Sequence, residues 1–249
     1  MIAAAYPTSY DLRDVDGQNF ITSVKDQEYC GSCVAFGVCA AVEGTIQILN
    51  NDPSLNPDFS EAHLFYCLGG NNGRTCGNTI GDPPTMEPNG GWWPGGALSE
   101  FQSTGVVHEW CFAYESPASP FEPTLPCSLC QDWESNVTKI QGWTVLSVID
   151  EMKAWISSGN GPLVAAFTVY QDFMDYFGTN NSPDAIYRKS ANPGALLGGH
   201  CICVIGYNDD EQCWICKNSW GPFWAASGFF KIGYGEVGID SYMWGVYIS

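Results

Sequence analysis

The chain has 249 residues, enough for one large domain or for two lobes that share a core. Its 45% of hydrophobic and 14% of aromatic residues indicate a folded globular protein, and no stretch approaches the roughly twenty consecutive apolar residues of a membrane span. The formal net charge of -18 argues against nucleic acid and anionic membranes as partners.

The cysteines indicate the compartment in which the protein works. There are 12 of them, which points to an oxidising environment. Two glycosylation sequons, Asn136-Val-Thr138 and Asn180-Asn-Ser182, fit that environment, although two are common by chance in a chain of this size. Residues 1–6 are too short for a secretory signal and contain no basic segment. We therefore expect any leader or propeptide of the natural protein to lie outside this sequence.

The first strong helix signal begins at Cys33. An extended lead-in is predicted at Pro7–Arg13, and Gly31 and Ser32 then predict a turn and a helix N-cap. From Cys33 to Leu49 the residues are nearly all apolar or small, which predicts a buried helix. A cysteine in the first turn of a helix lies near backbone N–H groups that favour an anion, so Cys33 is a candidate thiolate nucleophile. The alternative interpretation is a structural half-cystine.

The remaining segments divide the chain at about residue 132. Before it we predict helices at Ser60–Cys67 and Ala97–Thr104, a loop from Gly69 to Gly91, and a cysteine-stapled loop from Glu115 to Pro126. After it we predict a helix at Leu146–Ser157 and strands at Leu163–Val169, Cys201–Tyr207, Cys213–Asn218, Phe229–Ile232 and Met243–Ile248. The first half is therefore expected to be helical and the second half rich in β-structure.

A predicted hairpin in the second half places a histidine opposite an asparagine. The strand that begins at His200 turns at residues 208–212 and returns as Cys213–Asn218, so His200 and Asn218 fall within reach of a side-chain hydrogen bond. An asparagine that accepts from one imidazole nitrogen leaves the other nitrogen free to face a thiol. The alternatives are a surface histidine and a turn asparagine, but Asn-Ser-Trp-Gly from Asn218 to Gly221 is a more specific signal than Asn218 alone.

The motifs around these residues resemble the papain family of cysteine peptidases. They are Cys-Gly-Ser-Cys with Phe36 behind it, the Gly-Gly-His200 strand, and Lys-Asn218-Ser-Trp220-Gly. The resemblance runs from Pro7 to the C-terminus and is strongest to the cathepsin B-like branch, especially its short protist-type forms. It implies an α+β fold with two lobes, one helical and one β-barrel-like, and an active-site cleft between them. We expect a single catalytic domain over residues 1–249, with a helical lobe at 18–131 and a β-rich lobe at 1–17 and 132–249.

The resemblance implies a role for each residue of the catalytic site. Cys33 would be the nucleophile, and His200 would be its base and later its proton donor. Asn218 would orient His200, and Trp220 would cover their hydrogen bond from water. Gln27 would form the oxyanion hole together with the backbone N–H of Cys33. Such chemistry needs no metal or cofactor.

A second set of residues would bind the substrate chain. By resemblance Gly90 and Gly91 pair with the substrate backbone, and Trp224 forms the floor of the leaving-group side. Tyr242 would form the floor of S2, the pocket for the side chain one residue before the scissile residue, which predicts a short apolar pocket that favours Val, Leu or Pro over Arg. Asp240 is the nearby carboxylate that would reverse this preference if it turned inward. The whole set is Gly90, Gly91, Trp92, Trp93, Gly199, Trp220, Trp224 and Tyr242, with Gly198 and Cys201 also expected beside S2.

The resemblance also assigns the cysteines. The implied disulfides are Cys30–Cys76, Cys67–Cys127 and Cys111–Cys130. The cysteines in apolar helix and strand patterns would then be buried free thiols. They are Cys39, Cys201, Cys203, Cys213 and Cys216.

Several positions depart from the family pattern. Val34 stands where most relatives have tryptophan, and Pro88 and Val237 replace half-cystines. The spacing from Cys33 to His200 is longer than the roughly 130–150 residues of the usual pattern, which we attribute to loop insertions. The histidine pair that blocks the primed side of the cleft in cathepsin B is missing, because no histidine lies between His108 and His200.

These observations predict a cysteine endopeptidase that hydrolyses peptide bonds through a thioester acyl-enzyme. Its expected partners are polypeptide substrates and an inhibitory propeptide or protein inhibitor, and its expected location is outside the cell or in a lysosome- or vacuole-like compartment. A transpeptidase or ligase on the same scaffold is the main alternative, since it would keep the same residues. A catalytically silent peptide-binding homologue is the other.

Overall fold

The computed structural model describes residues 6–77, 91–118 and 124–248. Its longest helix, α1, spans Cys33–Leu49, as the apolar sequence predicted. Most side chains of α1 are buried, so the helix runs through the core and not along the surface. Gly37 allows α1 to approach its neighbours closely, because a Cβ at this position would lie 3.0 Å from Cys201 Sγ and 3.1 Å from the carbonyl oxygen of Ile202.

The other helical segments of the first half are short. A π-helical turn covers His63–Gly69, where a helix over Ser60–Cys67 was predicted. Helix α2 spans Pro94–Ser103 and begins earlier than the predicted Ala97, because proline fits the first turn of a helix. Strand β2 at Val106–Val107 pairs with β3 at Val137–Thr138, and the sequence pattern had predicted neither. Of the predicted loop at 69–91, residues 78–90 lie outside the described residues.

In the described part of the chain, eight strands form one sheet. They are β1 (Ser9–Asp11), β4 (Gly142–Leu146), β5 (Leu163–Tyr170), β6 (Ile186–Tyr187), β7 (Leu196–Asn208), β8 (Cys213–Lys217), β9 (Phe229–Gly233) and β10 (Met243–Tyr247). Their order is β4-β10-β5-β7-β8-β9-β6, with β1 paired to β7, and the pairs are antiparallel except for β6 with β9. Long strand β7 lies inside this order and packs on α1 at Gly37, so the sheet and the buried helix share one core.

Helices in the second half differ from the prediction. Helix α3 spans Ile149–Trp155, and its predicted start at Leu146 is wrong, because Leu146 ends β4 and pairs with Met243 of β10. Helix α4, at Gln171–Thr179, was not predicted, and it buries Phe173 and Phe177. Nowhere in residues 6–77, 91–118 and 124–248 does a helix combine the length and the hydropathy that crossing a membrane requires.

Three disulfides join described cysteines, and they are the pairs that the resemblance implied: Cys30–Cys76, Cys67–Cys127 and Cys111–Cys130. The cysteines expected to be free thiols are free and buried. Cys33 is the remaining free cysteine, and it is half-buried. The disulfides therefore all lie in the first half of the chain, around the start of α1 and the π-helical turn.

Candidate active site

Cys33 opens α1 beside a cavity of about 240 Å³ that His200 also lines. Burial raises the pKa of the Cys33 thiol to about 11, while hydrogen bonds from the backbone N–H groups of Cys201 and Val34 act in the opposite direction. The raised pKa favours the neutral thiol, contrary to the expectation that the start of the helix would favour a thiolate, so the thiol needs a base. Ser32 is the N-cap residue of α1, as predicted, but its hydroxyl makes no capping bond to the helix and lies 2.8 Å from Tyr114 Oη.

His200 lies on β7 with 2% of its surface exposed. Its Nε2 lies 2.7 Å from Asn218 Oδ1. Because Oδ1 can only accept, and also accepts from the backbone N–H of Ser219 at 2.8 Å, Nε2 carries the proton. Nδ1 is left without a hydrogen-bond partner among the described residues. Burial lowers the pKa of His200 to about 4, against the opposing effect of the Asn218 bond, so the ring is a neutral base over most of the acidic range.

Trp220 packs on this pair as the sequence led us to expect. Its ring stacks on the His200 ring, with centroids 4.5 Å apart and planes 27° apart. Trp224 meets Trp220 edge to face at 4.9 Å and stacks with Phe173 of α4. The imidazole therefore has an aromatic wall on one side and the cavity on another.

Gln27 is buried and bonded at every polar atom. Its backbone N–H donates to the carbonyl of Ser219 over 2.8 Å, and its Oε1 accepts from Ser219 Oγ over 2.7 Å. Its Nε2 donates one hydrogen to the carbonyl of Cys30 over 2.8 Å. A second Nε2 hydrogen remains, which leaves one donor for an oxyanion next to the N–H of Cys33, since the first N–H groups of a helix have no intrahelical acceptor.

Four of the eight expected substrate-binding residues line the same cavity, and Trp220, Trp224 and Tyr242 do not. Its lining includes Gly91, Trp92, Trp93, Gly198, Gly199 and Cys201. Gly90 lies outside the described residues. Gly198 and Cys201, which were expected beside Tyr242, line the catalytic cavity.

Tyr242 lies in a neighbouring hollow that shares Trp93 with the cavity. The hollow is lined by Trp93, Phe167, Val237, Tyr242 and Trp244 together with smaller residues, and none of its lining residues is charged. The carboxylate of Asp240 does not face it. Asp240 Oδ2 accepts from Trp214 Nε1 at 3.2 Å and from the backbone N–H of Gly235 at 2.7 Å.

Sequence reasoning missed a buried polar chain behind the site. Lys217, next to Asn218, donates from Nζ to Thr22 Oγ1 over 2.8 Å, and Thr22 Oγ1 donates to Glu43 Oε2 over 2.6 Å. The chain joins β8 to the lead-in segment and to α1. The sequence signal that could have predicted this chain is a polar residue inside an otherwise apolar element, and Glu43 in α1 is the clearest case.

Comparisons with known proteins agree with this geometry. The family model described as "Papain family cysteine protease" matches residues 6–246. A protein of Giardia intestinalis named "Cathepsin B-like CP3" is 31% identical over 238 residues, which cover 92% of this chain and 70% of that protein. The "Gut-specific cysteine proteinase" of Caenorhabditis elegans is 31% identical over 267 residues, with coverage of 97% and 73%.

Solved structures show the same fold. Xylellain, a cysteine protease from Xylella fastidiosa, superposes with a TM-score of 0.76 at 23% identity and covers 99% of this chain and 88% of its own. Procathepsin B S9 from Trypanosoma congolense gives a TM-score of 0.74 at 21% identity, with coverage of 100% and 80%. The fold is thus α+β and papain-like.

Proposed function

The chain belongs to the papain family of cysteine proteases, and we propose that it is an endopeptidase that cleaves polypeptides through a thioester acyl-enzyme. The observation that carries the proposal is the cavity shared by Cys33 and His200, in which Asn218 occupies one ring nitrogen of His200 and leaves the other unpaired. A thiol beside a free, oriented base is the arrangement that nucleophilic catalysis requires.

The first half-reaction forms the thioester. His200 Nδ1 takes the proton of the Cys33 thiol as Sγ attacks the scissile carbonyl carbon. The oxygen becomes an oxyanion that accepts from the Cys33 N–H and from the second Nε2 hydrogen of Gln27. The C–N bond then breaks, and Nδ1 returns its proton to the leaving amine.

The second half-reaction returns the enzyme to its starting state. His200 Nδ1 removes a proton from a water molecule, which attacks the thioester carbonyl and forms a second oxyanion at the same donors. The C–S bond breaks, the carboxylic acid leaves, and Cys33 regains its proton. Atoms and charges balance over the two steps.

The absence of the histidine pair that blocks the primed side in cathepsin B supports cleavage at internal bonds of a polypeptide, that is, endopeptidase activity. No histidine lies between His108 and His200, so no imidazole from that segment can bind the C-terminal carboxylate of a substrate on the primed side. Trp220 and Trp224 give this side an aromatic surface on which an extended peptide can continue. Product analysis of a long unstructured peptide tests this, and exclusive release of C-terminal dipeptides would contradict it.

The S2 pocket is the Tyr242 hollow in this proposal. Its uncharged lining and the engagement of Asp240 elsewhere favour Val, Leu or Pro over Arg at that substrate position. Tyr242→Glu should raise the relative kcat/KM for Arg by about tenfold, since it supplies an ionic partner. Asp240→Asn is the matched control and should leave the preference unchanged. A wild-type preference for Arg would contradict the assignment.

The same reasoning extends to location and partners. Three disulfides favour an oxidising compartment, so we place the protein outside the cell or in a lysosome- or vacuole-like compartment. An unpaired base and a reactive thiol in an open cleft need control, and the solved neighbours include procathepsins. We therefore propose that a propeptide or a protein inhibitor occupies the cleft before or between uses.

The decisive experiment measures turnover and labelling together. Fluorogenic peptides should be hydrolysed by the wild type, and a peptide epoxide should label Cys33 and no other cysteine. Cys33→Ala should lower kcat by several orders of magnitude, because the members of such a unit depend on one another. Added amine acceptors should not outcompete water; if they do, the enzyme is a transpeptidase or ligase. Binding without turnover would indicate a silent homologue.

A further inference from the structure

The hydroxyl of Tyr114 lies between the two segments that carry the oxyanion donors. Its Oη donates to the backbone carbonyl of Gln27 over 2.9 Å. The same oxygen lies 2.8 Å from Oγ of Ser32, the residue immediately before Cys33. Because a phenol has one proton and gives it to Gln27, the Ser32 hydroxyl is the donor in the second contact, which is much shorter than its 3.5 Å contact with the carbonyl of Cys30. Two hydrogen bonds thus connect the start of α1 to the backbone of Gln27 through one side chain.

The surroundings of Tyr114 hold this hydroxyl in place. Its ring packs edge to face on Phe36 of α1 at 4.8 Å and stacks on Tyr66 at 5.6 Å. Its backbone N–H donates to Glu109 Oε1 over 2.6 Å. Burial raises the pKa of Tyr114, so the hydroxyl keeps its proton at any pH at which the protein is folded. Ser32 is fully buried, and water does not compete for its bond.

The two donors need such a connection because they belong to different segments. Gln27 lies in the loop before the disulfide Cys30–Cys76, whereas the N–H of Cys33 belongs to a helix. An oxyanion is stabilised only if both donors point at it at once, and a displacement of about 1 Å can cost two orders of magnitude in rate. The side chain of Gln27 is held by Ser219 and by the carbonyl of Cys30, and its own carbonyl accepts from Tyr114 at 2.9 Å and, over a longer 3.3 Å, from the backbone N–H of Cys30.

We propose that Tyr114 is a positioning residue of the oxyanion hole, which keeps Gln27 and the first turn of α1 in register through the Ser32 and Gln27 hydrogen bonds. The inference rests on the proposed peptidase activity. It concerns the tetrahedral intermediate, and not the reactivity of the thiol itself.

The test compares two tyrosines of one stacked pair. Tyr114→Phe removes the hydroxyl and keeps the ring. Tyr66→Phe is the matched control, because the Tyr66 hydroxyl donates to the Glu115 carbonyl over 2.7 Å and, although it also interacts with the Tyr114 hydroxyl, it bonds to neither oxyanion segment. Tyr114→Phe should lower kcat by about 5- to 50-fold with KM within about twofold, since the lost stabilisation appears only in the transition state. Tyr66→Phe should leave both values within about twofold of wild type.

Two further measurements separate positioning from general loosening. A peptide aldehyde, whose thiol adduct carries the oxyanion, should bind Tyr114→Phe more weakly by about the same factor as the loss in kcat. Alkylation of Cys33 by iodoacetamide, which forms no oxyanion, should proceed at the wild-type rate. The proposal is overturned if kcat is unchanged, if alkylation slows as much as turnover, or if Tyr66→Phe gives the same loss. A wild type that does not cleave peptides would instead refute the proposed function.

Discussion

The imidazole rings of His200 and His63 are alike in burial, pKa and number of hydrogen bonds, and they differ in the groups that surround them. His200 has 2% of its surface exposed and His63 has 0%, and burial lowers the pKa of each to about 4. Each ring has one bonded nitrogen: His200 donates to Asn218, and His63 Nδ1 accepts from the backbone N–H of Val107 over 3.1 Å. Each has a second nitrogen without a partner among the described residues.

The two histidines differ in whether they line a cavity and in which ring nitrogen carries the proton. His200 lines a cavity beside a free thiol, and its unpaired nitrogen is the basic one. His63 lies in the π-helical turn against Trp133, and its bonded Nδ1 is the acceptor, so its unpaired Nε2 carries the proton and cannot act as a base. Burial and a low pKa therefore do not by themselves identify a catalytic histidine, and the neighbouring groups decide.

The largest expected difference is in turnover. His200→Asn should lower kcat by at least about 10³-fold, because it removes the base while the fold remains. His63→Asn offers Oδ1 as a replacement acceptor for Val107 and should keep kcat/KM within about threefold. Both variants are assayed on a fluorogenic peptide after circular dichroism confirms that they are folded. A folded but inactive His63→Asn protein would break the distinction.

The second expected difference is in the pH dependence of stability. The pKa of His63 is about 4 in the folded protein, below its value of about 6.5 in an unfolded chain, so protonation favours unfolding. Its contribution is fully present above about pH 6.5 and is lost as the pH falls towards 4, by on the order of 3 kcal/mol. Urea unfolding at pH 7.5 and pH 4.5 measures it.

His63→Asn serves as the comparison in that experiment. It should show a smaller drop in the free energy of unfolding between the two pH values, because it has no imidazole to protonate at this position. An equal drop in the wild type and the variant would mean that other groups, such as His200, account for the acid sensitivity.

The third expected difference between the two histidines is in the acidic side of the pH profile of kcat/KM, called the acid limb below. In the proposed mechanism His200 must be neutral to accept the thiol proton. Because its pKa is about 4, kcat/KM should fall to half near pH 4 and not near the ordinary 6.5. Initial rates taken before unfolding give this profile. His63→Asn should leave the limb where it is, and a half-maximum at pH 6 or above in the wild type would contradict the burial argument.

The smallest difference concerns the aromatic neighbours. Trp220→Phe uncovers part of the His200 ring to water, so the acid limb should move up by up to about one pH unit and kcat should fall a few-fold. Trp133 is the edge-to-face neighbour of His63 and is itself partly exposed. Trp133→Phe should therefore change neither the acid limb nor kcat. A shift of the acid limb in Trp133→Phe would show that the two regions are coupled.

The residues proposed for catalysis were accessible from sequence because their signals are local. The apolar run after Cys33 predicted the bounds of α1, and a hairpin count predicted the His200–Asn218 hydrogen bond. The predicted register is wrong, because Lys217 pairs with Cys203 and the two residues are therefore not directly opposite. Both inferences depend on backbone geometry within one or two elements.

The residues that support the site were not accessible, because their contacts join distant segments. Nothing in the local pattern of Tyr114 shows that its hydroxyl reaches Gln27, and the burial of Glu43 in α1 is explained only by Thr22 and Lys217. Helix α4 was missed for a similar reason, since its aromatic face is stabilised by the Trp224 and Phe230 rings and not by helix propensity.

The positions of the disulfides affect how the protein can be handled. Cys30–Cys76 borders the turn that precedes Cys33, yet its cysteines are 0% and 1% exposed, whereas Cys33 is half-buried and Cys127 is exposed. Thiol exchange requires access to the sulfur under attack. A mild thiol reductant can therefore restore an oxidised Cys33, and can next open Cys67–Cys127, before it reaches Cys30–Cys76. A protein stored in air is then recoverable while the turn that precedes Cys33 is still crosslinked by Cys30–Cys76.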